Sequence, residues 1–266
     1  MTLIVGWLAC DQNGPCSAYM ASDSRISNSV NAYDYSQKLF ALRCTPDILG
    51  YCGETMFTSQ CLGRLTSICD EGFLLRDDMT FSERSDIIFG EIQKSYQEYS
   101  LNNEKIKIYH IGRELNKTFS ACEYIWDGKE WEKKVIPTNY EKSTKLFADG
   151  SGSLEYEARF RCFAKGNNED TSRNFFHCFC DILNDIKDRY TGGNPQLVGI
   201  YDGKYNGMYH GTIIDGKAYY KAAEINDAYS MSGIRWYNEK FEICDFITKQ
   251  KKAGAMSQPI SKKATP

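Results

Sequence analysis

The chain has 266 residues, of which 42% are hydrophobic and 25% charged, with a formal net charge of −3 and a pI near 5.7. These values are typical of one large globular domain, and the absence of a Lys/Arg stripe argues against nucleic acid as the main partner. No apolar run is long enough for a membrane span, so no membrane association is expected. The N-terminus lacks the basic region and apolar core of a secretory signal, and a cytoplasmic protein is expected.

In the first third of the chain, the spacing of the apolar residues changes from that of strands to that of helices. Residues 2–9 and 17–24 are predicted as two strands around the turn in CDQNGPC, and QKLFALR and DILGYCG as two more. From Thr55 the apolar residues recur at helical spacing. A second helix is predicted in TFSERSDIIFGEIQKSYQEYS, with Ser82 as its N-cap.

The order of several strands followed by two helices then repeats along the chain. Strands are predicted near 106–112, 118–126 and 131–136 and in KLFADG, followed by helices in SLEYEARFRCFAK and SRNFFHCFCDILNDIKDRY and strands in TGGNPQLVGIYDG and GMYHGTIIDGKAYY. Two packed antiparallel sheets with helices on both outer faces would bury these elements, which predicts an α+β fold, a four-layer αββα sandwich. A single domain over residues 1–248 and a disordered basic tail over 249–266 are expected.

The eleven cysteines and three histidines do not form a recognisable metal or redox pattern. The cysteine count is odd and no C-x-x-C pair occurs, so buried reduced thiols are expected. Cys178 and Cys180 lie two positions apart in a predicted helix and would not face each other. We therefore predict no metal and no cofactor. The sequence also lacks a G-x-S-x-G elbow, which leaves room for a nucleophile that needs no histidine.

Thr2 is a candidate for such a nucleophile. Removal of Met1, which is usual before a small residue, would give Thr2 a hydroxyl and a free α-amine on the same residue. An α-amine has an ordinary pKa of about 7.7–8.0, so it can accept a proton near neutral pH. The alternative is that Thr2 is simply a small residue in front of an N-terminal strand.

Five separated segments carry a resemblance to a known family. They are TLIVG, ASDSR, QKLF with GYCGE, GSGS, and DRYTGG. Their order behind a second-position threonine resembles the proteasome β-subunit and HslV-type family of N-terminal nucleophile (Ntn) hydrolases, and the chain looks like a bacterial proteasome-like relative. The resemblance covers about residues 2–215 and implies the αββα Ntn-hydrolase fold. The hairpin after Thr2 is longer than the family norm, and residues 100–140 do not obviously match.

The resemblance implies a role for each matching residue. Thr2 would be the nucleophile, Lys38 would polarise its hydroxyl, and Asp23 would hold Lys38. The backbone N–H of Gly53 would form the oxyanion hole. The residues expected around the terminal amine are Ser151, Asp188 and Thr191, and those expected to bind substrate are Arg25, Ser27 and Tyr51.

Each of these residues also has an ordinary structural explanation when it is considered alone. Lys38 could be a solvent-facing strand lysine, Asp23 could pair with Arg25, and DRYTGG could be a helix C-terminus with a glycine cap.

The function implied by the resemblance is that of a threonine-type endopeptidase. It would cleave peptides or unfolded proteins inside a homo-oligomeric ring or barrel, with any ATP-dependent unfoldase as a separate protein, because the chain has no Walker-type loop. Two alternatives remain open: an Ntn amidohydrolase that acts on a small amide, and a catalytically inert proteasome-like scaffold subunit.

Overall fold

The computed structural model describes residues 2–27, 30–99, 104–163, 171–203, 206–226 and 233–255. The helices in these ranges are α1 (Met56–Asp70), α2 (Phe81–Gln97), α3 (Ser153–Phe163) and α4 (Ser172–Asp185). The strands are β1 (Ile4–Asp11), β2 (Gly14–Ser22), β3 (Ile26–Ser27), β4 (Ala32–Tyr33), β5 (Leu39–Ala41), β6 (Asp47–Gly53), β7 (Ile106–Arg113), β8 (Phe119–Trp126), β9 (Trp131–Ile136), β10 (Thr144–Asp149), β11 (Gln196–Tyr201), β12 (Met208–Ile214), β13 (Lys217–Tyr220), β14 (Ala223–Glu224), β15 (Trp236–Asn238) and β16 (Ile243–Cys244).

The strands form two main sheets. The larger has the order β10-β1-β2-β11-β12-β13-β14, with β15 joined to β12 and β16 joined to β15. The smaller has the order β5-β6-β7-β8-β9, and β3 and β4 form a separate hairpin. The strand pairs are antiparallel except for β12 with β15. Antiparallel pairing is expected from the short turns that connect successive strands.

The apolar residues of β1 alternate between two cores. Val5 and Trp7 belong to the cluster that α3 and α4 cover, whereas Ile4 and Leu8 belong to the cluster between the two sheets. Successive side chains of a strand point to opposite faces, so a strand buried on both faces has a continuous apolar sequence. This explains why the chain is apolar directly after Thr2.

The five-stranded sheet is buried in the same way. In β6, Leu49 and Tyr51 pack in the cluster with α1 and α2, whereas Ile48 and Cys52 face the larger sheet. No helix among the described residues is both long and apolar enough to cross a membrane.

Two helix boundaries differ from the prediction. The N-cap of α2 is Thr80 rather than Ser82, because Thr80 and Glu83 form a reciprocal capping box. α4 ends at Asp185, and its C-cap Ile186 is extended, so DRYTGG is not the last turn of this helix. That segment is instead a loop that reaches the start of β1.

The predicted fold class, a four-layer αββα sandwich, is wrong for this chain. Strands make up 36% and helices 24% of the described residues, which are mostly in antiparallel sheets. The larger sheet continues through β12–β16, and the core cluster there contains Ile213, Trp236 and Phe246 but no helix residue. Residues of these C-terminal strands bury one another in this cluster, whereas Tyr237 of β15 packs in the cluster with α4.

The C-terminal segment is in contact with the fold for part of its length. Lys251 forms an isolated bridge with Cys244, and residues 256–266 lie outside the described ranges. The domain limits and the disordered tail therefore stay predictions.

A buried charged network supports the five-stranded sheet. The Asp47 carboxylate accepts hydrogen bonds from Arg84 Nε at 2.7 Å and Nη2 at 3.2 Å, and pairs with His110 Nε2 at 2.9 Å. Although burial raises the pKa of Asp47, His110 and Arg84 lower it by more. Asp47 is therefore held as a carboxylate in the interior.

We expect Arg84→Met to destabilise the fold by about 3–5 kcal/mol, because it leaves a buried carboxylate without its guanidinium partner. The measurement is the free energy of unfolding from urea denaturation. Arg76→Met is the control, since Arg76 pairs with Asp78 where both side chains are at least 70% exposed. Equal stability of the two variants would contradict the prediction.

Candidate active site

Thr2 lies immediately before β1 and is 1% exposed. Its carbonyl oxygen accepts a hydrogen bond from the Gly152 N–H at 3.3 Å, in the turn after β10. In the same turn Gly150 has φ +95°, and a Cβ there would lie 2.0 Å from the Thr2 carbonyl oxygen. The close approach of this turn to Thr2 therefore depends on glycine at position 150.

Lys38 approaches Thr2 from the five-stranded sheet, just before β5. Its Nζ lies 2.5 Å from Thr2 Oγ1 and 2.8 Å from Asp23 Oδ1, and the Lys38 and Asp23 side chains are 1% and 0% exposed. Burial lowers the pKa of Lys38, and the Asp23 carboxylate acts against this change by favouring the ammonium. Lys38 is thus an interior lysine, not a solvent-facing one.

Asp23 joins three parts of the chain through its carboxylate. Besides Lys38, Oδ1 accepts the Leu3 N–H at 3.1 Å and Oδ2 accepts the Gly192 N–H at 3.0 Å. It fixes the segment after Thr2, the lysine and the loop after α4 relative to one another. Its ion-pair partner is Lys38, whereas Arg25 pairs with Asp34.

Gln196, which no sequence motif indicates, positions both members of the ion pair. Its Oε1 accepts the Lys38 N–H at 3.1 Å, and its Nε2 donates to the carbonyl oxygens of Asp23 and Ser36, each at 2.9 Å. The one available signal was a polar residue at the start of the apolar run QLVGIY, which becomes the buried strand β11.

Ser151, Asp188 and Thr191 come together next to the Thr2 turn. Thr191 Oγ1 donates to Asp188 Oδ2 at 2.8 Å and lies 3.2 Å from Ser151 Oγ. Burial raises the pKa of Asp188, but the Ser151 hydroxyl, the Tyr190 N–H and Thr191 lower it by more. These groups form an acidic, hydrogen-bonded corner beside the N-terminal segment.

Gly53 ends β6 with φ +98°, and a Cβ there would lie 2.2 Å from the Lys105 carbonyl oxygen. The next residue, Glu54, accepts the Met56 and Phe57 N–H groups, each at 2.8 Å, and so closes the N-terminus of α1. The strand-to-helix turn at Gly53 therefore admits no side chain at this position.

The three predicted substrate-binding residues have different surroundings. Arg25 is occupied, because Nε and Nη2 donate to Asp34 at 2.7 and 2.9 Å and Nη1 faces the Thr191 carbonyl oxygen at 3.4 Å. Tyr51 is fully buried and follows Gly50, which pairs with Leu39 next to Lys38. No hydrogen-bond partner for the Ser27 Oγ exists within the described part of the chain.

This arrangement can activate a hydroxyl. A lysine with a lowered pKa can accept the Thr2 hydroxyl proton when it is neutral, and it can stabilise the alkoxide when it is charged. The Thr2 nitrogen belongs to a peptide bond until Met1 is removed, and Met1 lies outside the described residues.

The fold is shared with proteasome-like proteins related to HslV. The structures concerned are of Anbu. The chain is similar to an Anbu (Gly-1) mutant from Hyphomicrobium sp. strain MC1, with a TM-score of 0.55 and 11% identity over 84% of this chain and 88% of that chain. It is also similar to Anbu (ancestral beta-subunit) from Yersinia bercovieri, with a TM-score of 0.54 and 10% identity over 77% of this chain and 86% of that chain.

The expected membership in the proteasome β-subunit and HslV-type family is wrong as it was stated. No protein-family model matches the chain, and no curated protein matches it. The similarity found is to Anbu structures, at identities that show a common fold and no more. The short segments that suggested the family are too few to define membership.

We expect Asp23→Asn to lower the pKa of Lys38 further and to destabilise the fold by about 3–5 kcal/mol at neutral pH, because the charged lysine loses its buried counter-ion. The pKa of Lys38 in the folded protein is already below its ordinary value, so the charged form is disfavoured by folding and stability falls with decreasing pH. The difference in stability between Asp23→Asn and the wild type should therefore become smaller as pH rises towards about 10.

The measurements are urea denaturation at several pH values and an NMR titration of the lysine side chains. Asp34→Asn is the control, because it removes a carboxylate whose side chain is 36% exposed. An unchanged Lys38 titration in Asp23→Asn would show that the two groups are not coupled.

Proposed function

We propose that this chain is a threonine-type hydrolase that cleaves peptide bonds with Thr2 as its nucleophile. The observation that supports this most directly is the 2.5 Å separation of Lys38 Nζ and Thr2 Oγ1, at a buried site where Asp23 holds the lysine. A hydroxyl in contact with a buried amine of lowered pKa has the surroundings that a nucleophile needs.

In the proposed reaction Thr2 Oγ attacks the carbonyl carbon of the scissile amide. The C–O bond forms as the hydroxyl proton moves to a neutral amine, and the carbonyl π electrons become the oxyanion. The backbone N–H of Gly53 is proposed to donate to that oxyanion, and one such donor contributes about 2.7–4 kcal/mol to transition-state stability. Collapse breaks the C–N bond, the proton goes to the leaving amine, and water then hydrolyses the Thr2 ester.

Two amines are candidates for the base. Lys38 is already in contact with the hydroxyl, and the Thr2 α-amine becomes available when Met1 is removed. The cluster of Ser151, Asp188 and Thr191 would hold that α-amine, since its hydroxyl and carboxylate oxygens can accept from an ammonium. Both amines could then share the proton within one small polar site.

Substrate binding involves the residues at the mouth of the site. The Ser27 hydroxyl, which has no hydrogen-bond partner within the described ranges, is proposed to contact an extended peptide, and Tyr51 to form a wall of the first side-chain pocket. Arg25 is proposed to act through the loop that it anchors, because its donors are already used. Met56 and Leu154, which follow Gly53 and Ser151 closely in the sequence, are 60% and 84% exposed.

A homo-oligomeric ring or barrel is proposed as the working form. The solved structures that share the fold include one named as a β-subunit, and apolar side chains as exposed as Leu154 are suited to burial against a second copy. A separate ATP-dependent unfoldase would be required for folded substrates.

The experiment that tests the proposal is the intact mass of the protein from its own host, with and without an α′,β′-epoxyketone. This reagent needs both the hydroxyl and the free α-amine of an N-terminal threonine. We expect loss of Met1 and one covalent adduct in the wild type, an adduct in Thr2→Ser, and none in Thr2→Ala.

Other outcomes separate the alternatives. A mass that keeps Met1 and gains no adduct would contradict the proposed function and favour an inert scaffold. An adduct without cleavage of a peptide library would keep the nucleophile and favour a small amide as substrate.

A further inference from the structure

The carboxylate of Asp149, the last residue of β10, accepts hydrogen bonds from three donors. Its Oδ2 accepts from Lys107 Nζ and from the Tyr109 hydroxyl, each at 2.5 Å, and its Oδ1 accepts the Gly150 N–H at 2.6 Å. The aromatic ring of Tyr109 stacks on that of Phe147, with centroids 3.8 Å apart. We refer to Asp149, Lys107 and Tyr109 together as the Asp149 clamp.

The clamp joins the two main sheets. Asp149 belongs to the nine-stranded sheet, where it pairs with Ile4 of β1, whereas Lys107 and Tyr109 belong to β7 of the five-stranded sheet. Packing between these sheets is otherwise apolar in this region, through a cluster that includes Ile4 and Cys52. Apolar contacts are non-directional, so hydrogen bonds with fixed geometry add an orientation that packing alone does not impose.

Each half of the clamp lies beside one half of the candidate active site. Gly150, whose N–H is bound by Asp149, starts the turn that contacts the Thr2 carbonyl oxygen. Lys107 pairs with Cys52, the residue before Gly53. The clamp therefore connects the turn that holds the nucleophile to the strand end that carries the oxyanion backbone.

The ion pair is stable over the ordinary pH range. Burial raises the pKa of Asp149, but Lys107, Tyr109 and the Gly150 N–H lower it by more; burial lowers the pKa of Lys107, but Asp149 raises it by more. Two more charged groups face Lys107 from neighbouring strands: Glu123 of β8 favours its ammonium form, and Lys134 of β9 is a like charge.

We propose that the Asp149 clamp is a positioning device that sets the distance between the Thr2 hydroxyl and the Gly53 backbone. This inference rests on the proposed hydrolase function. None of the three residues reaches the reacting atoms, so each acts through the turn or the strand end that it holds. Reaction rates depend strongly on such distances, and a displacement of about 1 Å can cost about 100-fold.

The test uses the full chain after Met1 removal and a β-lactone probe that acylates the Thr2 hydroxyl. We expect Lys107→Met to lower the maximal acylation rate by about tenfold or more with little change in the half-saturating probe concentration, because the nucleophile is misplaced while the mouth is intact. Lys107→Arg should restore most of the rate, since it keeps a cation for Asp149.

Lys133→Met is the matched control. Lys133 pairs with Asp86 at 2.6 Å, but it joins β9 to α2 and does not connect the two sheets. A purely structural ion pair would change the urea midpoint in both variants and leave the acylation rate unchanged at a temperature where both are folded. Equal acylation rates of Lys107→Met and the wild type would overturn the proposal and leave the hydrolase function standing.

Failure of the hydrolase function itself would be seen as a wild type that forms no adduct. Amide hydrogen exchange at Leu3 and Gly152, whose N–H groups bind Asp23 and the Thr2 carbonyl, then tests the clamp directly. Faster exchange in Lys107→Met than in Lys133→Met supports the clamp, and equal exchange overturns it.

Discussion

The buried ion pair between Lys38 and Asp23 is the interaction on which the candidate site depends. A lysine at an exposure of 1% is costly to keep charged, and its carboxylate partner is equally buried. The fold meets this constraint by giving Asp23 three further donors, the Leu3, Arg25 and Gly192 N–H groups, and by fixing the Lys38 backbone with Gln196. Each of these bonds also anchors a segment next to Thr2. The requirement to neutralise a buried charge and the requirement to position a nucleophile are therefore satisfied by the same hydrogen bonds.

The site lies where two independently built sheets meet. Thr2 and its turn flank strands β1 and β10 of the nine-stranded sheet, whereas Lys38 precedes β5 and Gly53 ends β6 in the five-stranded sheet. The apolar cluster between the sheets supplies the attraction, and directional polar ties supply the alignment. Lys38 with Asp23 is one such tie, and the Asp149 clamp is another. A site built from both sheets is aligned best by hydrogen bonds close to the reacting atoms. A small rotation of one sheet would displace atoms most at the edges of that sheet.

Much of the candidate site could be predicted from the sequence, and the structure explains which parts could not. Thr2, Asp23 and Lys38 were found because they stand in short segments whose order is informative, and most strands and helices followed from apolar periodicity. Gln196 and Asp149 were missed because their importance comes from partners 40 or more residues away in the chain, which periodicity does not show. The strands β14–β16 were also missed. They have two or three residues each, too few to establish an alternating pattern, and tertiary packing around Trp236 determines them.

The low identity to the solved Anbu structures is consistent with a fold that depends on apolar pattern and a site that depends on a few polar residues. A common fold at 11% identity means that most core positions have changed while the sheet arrangement has been kept. Apolar cores accept such exchange when volume and pattern are preserved, but a buried lysine accepts little, because each uncharged replacement leaves a carboxylate without its counter-ion. Residues such as Lys38 and Asp23 therefore carry more functional information than the fold does. The fold provides two sheet ends at a fixed separation, and the chemistry depends on which few polar side chains those ends hold.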